Sequence, residues 1–248
     1  MTSVPGFGEL VTVSYRDDYA IVTLNRPDKR NAMNYPAQAE LWAALDDVRA
    51  KGSKVVVLTG AGDVSFCAGA DIRDPAKPER RPSATEPETW FKTQELIARH
   101  PAIFIAAVNG FALGGGLTLV NNSELAIAAD TATFGMPEMG LGVFPALAGP
   151  STIKRLLPKH VAELIFTTRR IDAATALRWG LVNEVVSPAE LMPRAETLAA
   201  SIAKFDATAL DYSKKAFRDI GDMGWQAGME YGNRSTAVLK TARDRAQG

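Results

Sequence analysis

The chain has 248 residues, of which 46% are hydrophobic and 23% are charged. This composition excludes a disordered or fibrous protein, and the length suffices for one body with a large core. The 28 basic and 28 acidic residues balance to zero formal charge, which argues against a protein that coats nucleic acid or an anionic membrane. No apolar run approaches the ~20 residues of a membrane-spanning helix. With one cysteine, Cys67, and no recognisable secretion signal, we expect a cytoplasmic protein without nucleic-acid or membrane partners.

The first 60 residues predict two strands, a helix and a third strand. Residues 10–15 and 20–25 are rich in β-branched and apolar side chains and are separated by four residues, which indicates an antiparallel hairpin. Asn34 is expected to cap a helix whose apolar residues recur every three or four positions. Residues 54–59 form a continuous Val/Leu run that is typical of a strand buried on both faces.

Helices and strands then alternate, which predicts parallel β-α-β units and an α/β fold. A helix is expected over residues 86–99, with strands over 103–108 and 125–129. After Pro145 the pattern becomes mostly helical. The expected helices lie near residues 152–157, 161–167, 173–179, 188–204 and 208–220.

A proline-rich stretch interrupts this alternation at residues 74–87, which contain four prolines. Such a stretch cannot be regular secondary structure. Two interpretations stay open, a plain surface loop and a flap over a substrate site.

Two glycine-bearing turns follow predicted strands, at residues 66–72 and 110–116. Without a Cβ, backbone amides at such turns can approach a ligand atom closely. Two turns at the ends of neighbouring parallel strands would direct two N–H donors at one carbonyl oxygen, as in an oxyanion hole. Either turn alone favours an ordinary tight connection, and it is the pair of turns that favours the oxyanion hole.

The remaining reactive side chains point to structural roles. His100 and His160 have no metal-ligand spacing and no adjacent nucleophile, so no metal site is expected. We expect His100 to lie at a helix end, where its positive charge would suit the helix dipole. Cys67 is expected to be a buried small residue rather than a thiolate nucleophile.

Seven segments occur in order along the chain, and together they resemble the crotonase, or enoyl-CoA hydratase/isomerase, superfamily. The segments are residues 24–34, 57–62, 66–71, 108–116, 134–138, 141–142 and 180–186. The resemblance implies a crotonase-like spiral of ββα units with a helical C-terminal trimerisation region. It implies an acyl-CoA-binding catalytic core over residues 1–190 and an oligomerisation region over residues 191–248. It also implies an acyl-CoA substrate, no cofactor beyond the coenzyme A of that substrate, and a homotrimer or a hexamer built as a dimer of trimers.

The family's site residues are carried over by position. The resemblance implies that the oxyanion amides are those of Ala70 and Gly115. It implies further that coenzyme A is contacted by ten residues, which are Lys29, Arg30, Ala32, Ala68, Asp71, Ile72, Arg73, Lys214, Lys215 and Phe217.

The acid/base positions bear on the reaction. Hydratases of this family use two glutamates, and this chain has Glu138 at one position but Thr118 at the other, which cannot act as a carboxylate base. Thr118 could still orient a water or a substrate group.

Two further positions bear on the reaction. Ala146 stands where the family's dienoyl isomerases, hydroxyacyl-CoA hydrolases and aryl-CoA dehalogenases place an aspartate, which disfavours those reactions. Tyr231 resembles the C-terminal tyrosine of the hydroxycinnamoyl-CoA hydratase-lyases, and the alternative is a tyrosine packed at a subunit contact.

Two hypotheses follow. The first is a lyase or isomerase that acts on an acyl-CoA thioester through an enolate, with one glutamate as acid and base. Its reaction would be double-bond isomerisation or a hydration or retro-aldol step. The alternative is a noncatalytic acyl-CoA-binding homologue that has kept the fold and lost half of the acid/base pair.

Overall fold

The computed structural model describes residues 7–73 and 89–247, so the proline-rich stretch 74–87 lies outside the described residues. The strands are β1 (Val11–Tyr15), β2 (Tyr19–Leu24), β3 (Val55–Gly60), β4 (Ser65–Cys67), β5 (Ile103–Val108), β6 (Phe111–Leu113), β7 (Leu125–Ala129), β8 (Thr133–Gly135), β9 (Ile171–Asp172) and β10 (Glu184–Val186). The α-helices are α1 (Tyr35–Ala50), α2 (Thr89–Arg99), α3 (Gly115–Asn122), α4 (Ala148–Ile153), α5 (Pro158–Thr167), α6 (Ala173–Arg178), α7 (Pro188–Ile202), α8 (Ala207–Ile220) and α9 (Trp225–Gln247).

A six-stranded sheet in the order β1-β2-β3-β5-β7-β10 forms the centre of the molecule. β1 and β2 pair as the predicted antiparallel hairpin, and every later neighbour in the sheet is parallel. Helices cross over between the parallel strands, as parallel pairing requires. The structure therefore confirms the predicted α/β class.

The central strands are buried on both faces, as the continuous apolar run in β3 predicts. Val56 and Leu58 point into the main core, whereas Val55 and Val57 point to the opposite face. α7 covers that second face with residues spaced four apart, which are Leu191, Ala195, Ala199 and Ala203. Three of these four residues are alanines, so the helix can pack closely on the sheet.

A second sheet, in the order β4-β6-β8-β9, was not predicted. Its strands have two or three residues each, too few to show a repeating pattern. β4, β6 and β8 are parallel to one another, and each lies shortly after a strand of the large sheet. The second sheet thus gathers the chain segments that leave the carboxyl edge of the large sheet.

The C-terminal part is helical, as predicted, with two differences. α4 begins at Ala148, earlier than the predicted 152–157, because Pro150 falls in its first turn, where a missing N–H costs little. α9, which was not predicted, packs on α8. The implied boundary at residue 191 falls within α7. Among the described residues, no helix is both long and apolar enough to cross a bilayer.

Candidate active site

The segment before α1 pairs with the turn after β4. The Met33 amide donates to the Gly69 carbonyl (2.8 Å), and the Asp71 amide donates to the Met33 carbonyl (3.0 Å). In this parallel bridge, Ala70 lies between the two residues that bond to Met33. Its own N–H therefore points away from Met33, because successive amides along an extended chain face opposite sides.

An ion pair fixes the same turn. The Arg26 guanidinium lies 3.1 Å from the Asp71 carboxylate, and both side chains are largely shielded from solvent. The side-chain amide of Asn31 also holds this turn, because its Nδ2 donates to the carbonyls of Ser65 (2.6 Å) and Ala61 (3.0 Å). Asp71, one of the implied coenzyme A contacts, is thus engaged by Arg26, a residue that the sequence did not single out.

Each glycine of the 114–116 run faces a different neighbour at close range. A Cβ on Gly114 would lie 2.7 Å from Oε1 of Glu138, and one on Gly115 would lie 2.5 Å from the indole ring of Trp90. A Cβ on Gly116 would lie 2.0 Å from the backbone oxygen of Cys67. No side chain fits at any of the three positions without displacing these neighbours.

The two glycine turns meet as predicted. Gly69 has a φ of 93°, and a Cβ there would lie 3.2 Å from the Gly115 amide nitrogen. The Gly115 amide is the first in α3, and Gly114 before it offers no capping side chain. Within residues 7–73 and 89–247, neither the Ala70 nor the Gly115 amide donates to a protein acceptor. Such paired free donors are suited to a carbonyl oxygen that gains negative charge.

Glu138 is brought to the same turn by the second sheet. β8 pairs with β6, and the Gly114 amide donates to the Gly135 carbonyl (3.0 Å), three residues before Glu138. Glu138 then begins a short 3-10 helix, Glu138–Leu141. Its Oε2 is buried without a hydrogen-bond partner in the part of the chain that the structure describes, and burial raises the pKa of the carboxyl above its usual value. A carboxylate in this state is suited to accept a proton.

Thr118 and Tyr231 are not hydrogen-bonded to Glu138. The Thr118 hydroxyl is fully buried and donates to the Gly114 carbonyl of its own helix (3.3 Å). The Tyr231 hydroxyl donates to Asp219 at 2.7 Å, which joins α9 to α8. Their roles in chemistry stay predictions.

The implied coenzyme A contacts fall into two groups. The first group surrounds the glycine turns. Lys29 and Ile72 are exposed there, with Lys29 near Asp28. The Arg30 guanidinium lies over the Phe111 ring. The backbone of Ala32 and Ala68 is tied into the same segment, since the Ala32 carbonyl accepts from Arg26 and the Ala68 amide donates to Arg30. Arg73 is exposed just beyond them.

The second group lies on α8, at the opposite edge of the large sheet. The Lys214 ammonium is buried and donates to the carbonyls of Ile97 (3.0 Å) and Ala102 (2.8 Å), and it lies 3.3 Å from Glu124. Ala102 and Glu124 precede β5 and β7, whereas the glycine turns follow the carboxyl ends of the strands. Lys215 pairs with Asp211 at the surface, and Phe217 is exposed. Within one chain the two groups do not form a single site.

His100 and Cys67 have structural surroundings. His100 is buried, its Nε2 lies 3.0 Å from the Leu45 carbonyl, and its Nδ1 accepts from the Ala102 amide. Burial lowers the pKa of His100 to about 4, so the ring is neutral and the predicted cationic contact with a helix dipole is wrong. Burial raises the pKa of the Cys67 thiol to about 12. The described residues contain no cluster of metal-ligating side chains.

Trp90 was not predicted as a site residue, although its ring packs on Gly115. The available signal was the spacing of Trp90, Thr93 and Ile97, which places all three on one buried face of α2. That spacing indicates a core helix but does not show which glycine the indole would contact.

Comparison with known proteins shows the family of the chain. The family model for enoyl-CoA hydratase/isomerase matches residues 16–240. The chain belongs to the enoyl-CoA hydratase/isomerase family. Its match to the crotonase superfamily, with the α/β spiral and helical C-terminal region, is thereby confirmed.

Two relatives and one solved structure show how extensive the similarity is. The chain is 40% identical over 202 residues to a short-chain-enoyl-CoA hydratase of Clostridium acetobutylicum, covering 79% of this chain and 76% of the relative. It is 34% identical to an (E)-benzylidenesuccinyl-CoA hydratase of Thauera aromatica, covering 96% and 93%. A crystal structure of an enoyl-CoA hydratase from Bacillus anthracis superposes with a TM-score of 0.85 at 29% identity, covering 96% and 93%.

Proposed function

We propose that this member of the family forms an enolate from an acyl-CoA thioester. The Ala70 and Gly115 amides bind the thioester oxygen, and Glu138 removes the proton from the α-carbon. The observation that carries the proposal is the position of the Glu138 carboxylate. It lies against Gly114, the residue before Gly115, and its Oε2 is buried without a hydrogen-bond partner among the described residues.

The chemistry follows from these groups. Removal of the α-proton moves electron density onto the thioester oxygen, where two fixed N–H donors stabilise the developing charge. In other enzymes the loss of one such donor costs about 3 kcal/mol of transition-state stabilisation. Burial of Glu138 raises its pKa toward the working pH, which makes proton transfer in both directions feasible.

A single carboxylate favours a proton shift between C2 and C4, that is, isomerisation of the double bond. One base can take the proton from one carbon and return it to the other. Thr118 supports this choice, because its hydroxyl donates to the Gly114 carbonyl and offers no second base. The second candidate is hydration, which the names of the Clostridium and Thauera relatives favour. A retro-aldol step is a variant of this second candidate.

Deuterium uptake at the acyl α-carbon in D₂O, followed by mass spectrometry, tests the proposal. A panel of aliphatic and aromatic acyl-CoAs is compared for the wild type, Glu138→Gln and the surface control Glu230→Gln. We expect exchange in the wild type and the control, and a loss of at least about a hundredfold in Glu138→Gln. Binding of CoA esters without exchange in any protein would support the noncatalytic homologue instead.

The same panel separates the two reactions. Conversion of a 3-enoyl-CoA to the conjugated 2-enoyl-CoA, seen as a rise in ultraviolet absorbance, would support isomerisation. Loss of that absorbance from a 2-enoyl-CoA, with formation of a 3-hydroxyacyl-CoA, would support hydration. Cleavage to a shorter CoA ester and an aldehyde would support the retro-aldol variant.

We also propose that the chain assembles as a trimer or a dimer of trimers. Large apolar side chains are exposed along the C-terminal helices and after Glu138, which supports a buried contact between subunits. They include Leu141, Phe144, Phe217, Trp225 and Met229. Sedimentation equilibrium distinguishes a trimer from a hexamer, and a monomeric mass would contradict this assembly. The coenzyme A contacts and the cytoplasmic location stay predictions.

A further inference from the structure

Trp90 is held rigidly beside the oxyanion turn. It lies in the first turn of α2, and Thr93 and Ile97 continue the same fully buried face. The Thr93 hydroxyl accepts from the indole of Trp42 (2.7 Å), which ties α2 to α1. The six-membered ring of Trp90 leaves no space for a Cβ on Gly115, at 2.5 to 2.9 Å. The indole therefore forms a wall of the site at the residue whose amide we assign to the thioester oxygen.

Within residues 7–73 and 89–247, the indole N–H of Trp90 has no hydrogen-bond partner, although it is buried. Buried indole N–H groups are normally paired, as Trp42 shows in the same protein. A phenylalanine at residue 90 could form an apolar wall without an unpaired donor. The N–H group is thus a polar feature that packing alone does not require.

We propose that the Trp90 N–H donates a hydrogen bond to an oxygen of the acyl group, and that the substrates are acyl-CoAs with a hydroxyl, oxo or carboxylate oxygen close to the reacting carbons. This inference rests on the proposed function, since it assigns the acyl group to the space beside Gly115. A plain hydrocarbon acyl chain in that space leaves the N–H unpaired. An oxygenated chain satisfies it.

The expected selectivity follows from the cost of a buried unpaired donor. Satisfying that donor favours the oxygenated substrate by about tenfold to a hundredfold in kcat/KM over the matched hydrocarbon substrate. Trp90→Phe removes the N–H and retains an aromatic ring, so it should abolish most of this preference. Trp179→Phe is the matched control, because that indole stacks on His160 of α5 and is not among the side chains assigned to the site or to the subunit contact.

The first readout needs no turnover. In the wild-type protein labelled with ¹⁵N at tryptophan, the Trp90 indole resonance is assigned by its absence in Trp90→Phe. We expect it to move downfield with 3-hydroxybutyryl-CoA or 4-hydroxybutyryl-CoA and to stay nearly unchanged with butyryl-CoA. If the resonance responds equally to all three esters, the N–H does not recognise an oxygen and the proposal is overturned.

The second readout is α-deuterium exchange and affinity with the same esters. Trp90→Phe should lose about tenfold to a hundredfold on the best oxygenated ester and little on butyryl-CoA, while Trp179→Phe retains the wild-type ratio. An equal loss on all esters would show that Trp90 acts only through packing. If the wild type exchanges no ester, the enolate mechanism fails, but the resonance and the ratio of dissociation constants still decide the role of Trp90.

Discussion

Lys214 provides a test of whether the α8 lysines are structural or bind the substrate. Its ammonium is only 4% exposed and directs its donors at two carbonyls, Ile97 and Ala102, and at Glu124. Burial lowers the pKa of Lys214 and raises that of Glu124, so each charge depends on the other to offset its loss of hydration. The geometry therefore assigns Lys214 to the attachment of α8.

The magnitude follows from what a substitution would leave behind. Lys214→Met keeps the length of the side chain but leaves the Glu124 carboxylate without its cation, although the bond from the Phe104 amide (2.8 Å) remains. Removing one partner of a buried pair typically costs about 3–5 kcal/mol of the free energy of unfolding. Lys215→Met is the matched control, because Lys215 forms a surface pair with Asp211 whose loss costs below about 0.5 kcal/mol.

Urea unfolding at equal protein concentration measures both variants. A double substitution, Glu124→Gln with Lys214→Met, should be less destabilising than the sum of the single changes by about 1–3 kcal/mol, because no carboxylate is then stranded. The dissociation constant for an acyl-CoA is measured alongside. An unfolding midpoint for Lys214→Met equal to that of the wild type, together with weakened acyl-CoA binding, would refute the structural assignment.

Three further outcomes are expected. The pKa of His100 is about 4 in the folded protein and 6.5 in the unfolded chain, so between these pH values the unfolded state binds one more proton. The free energy of unfolding should therefore fall by about 3 kcal/mol as the pH drops from about 6.5 to 4. The urea midpoint of His100→Gln should depend less on pH than that of the wild type. Glu138 must be ionised to act as a base, and its pKa is raised, so the acid limb of kcat/KM should lie above pH 4.5; a limb at or below that value would contradict the buried carboxylate. Gly116→Ala drives a Cβ into the Cys67 carbonyl and should cost about 3 kcal/mol with loss of activity, whereas Gly224→Ala, with open space around its Cα, should change the unfolding midpoint little.

Five of the six strands of the large sheet were predictable because they carry their own signal, whereas β10, a three-residue strand in the part expected to be helical, was not predicted. β3 and β5 are continuous apolar runs, and the Asn34 cap is local: its side chain accepts from the Ala37 amide at 2.9 Å. The second sheet gave no such signal, since strands of two or three residues show no period. The packing of that sheet nevertheless brings Glu138 to Gly114.

The candidate site was predictable where close approach of the backbone requires glycine, and less so where it depends on contacts between side chains. The two glycine turns could be recognised because close approach requires glycine, and the structure brings them together. The pairing of Arg26 with Asp71, and of Trp90 with Gly115, depends on segments far apart in the chain. Likewise, the position of His100 at a helix end suggests a cation. Its neutral state is evident only from its buried partners, the Leu45 carbonyl and the Ala102 amide, which the sequence does not show.

Two of the unpartnered polar groups lie on either side of the same turn. Among the described residues, five buried side-chain atoms have no hydrogen-bond partner, and they include Oε2 of Glu138 and Nε1 of Trp90. These two side chains face Gly114 and Gly115, which are adjacent in sequence. Folded proteins rarely leave such groups unpaired, and the exceptions concentrate where a ligand supplies the missing partner. One unpaired acceptor and one unpaired donor near the Ala70 and Gly115 amides are the groups that the two proposals above require, because an oxygenated acyl thioester would be both a proton donor and a hydrogen-bond acceptor.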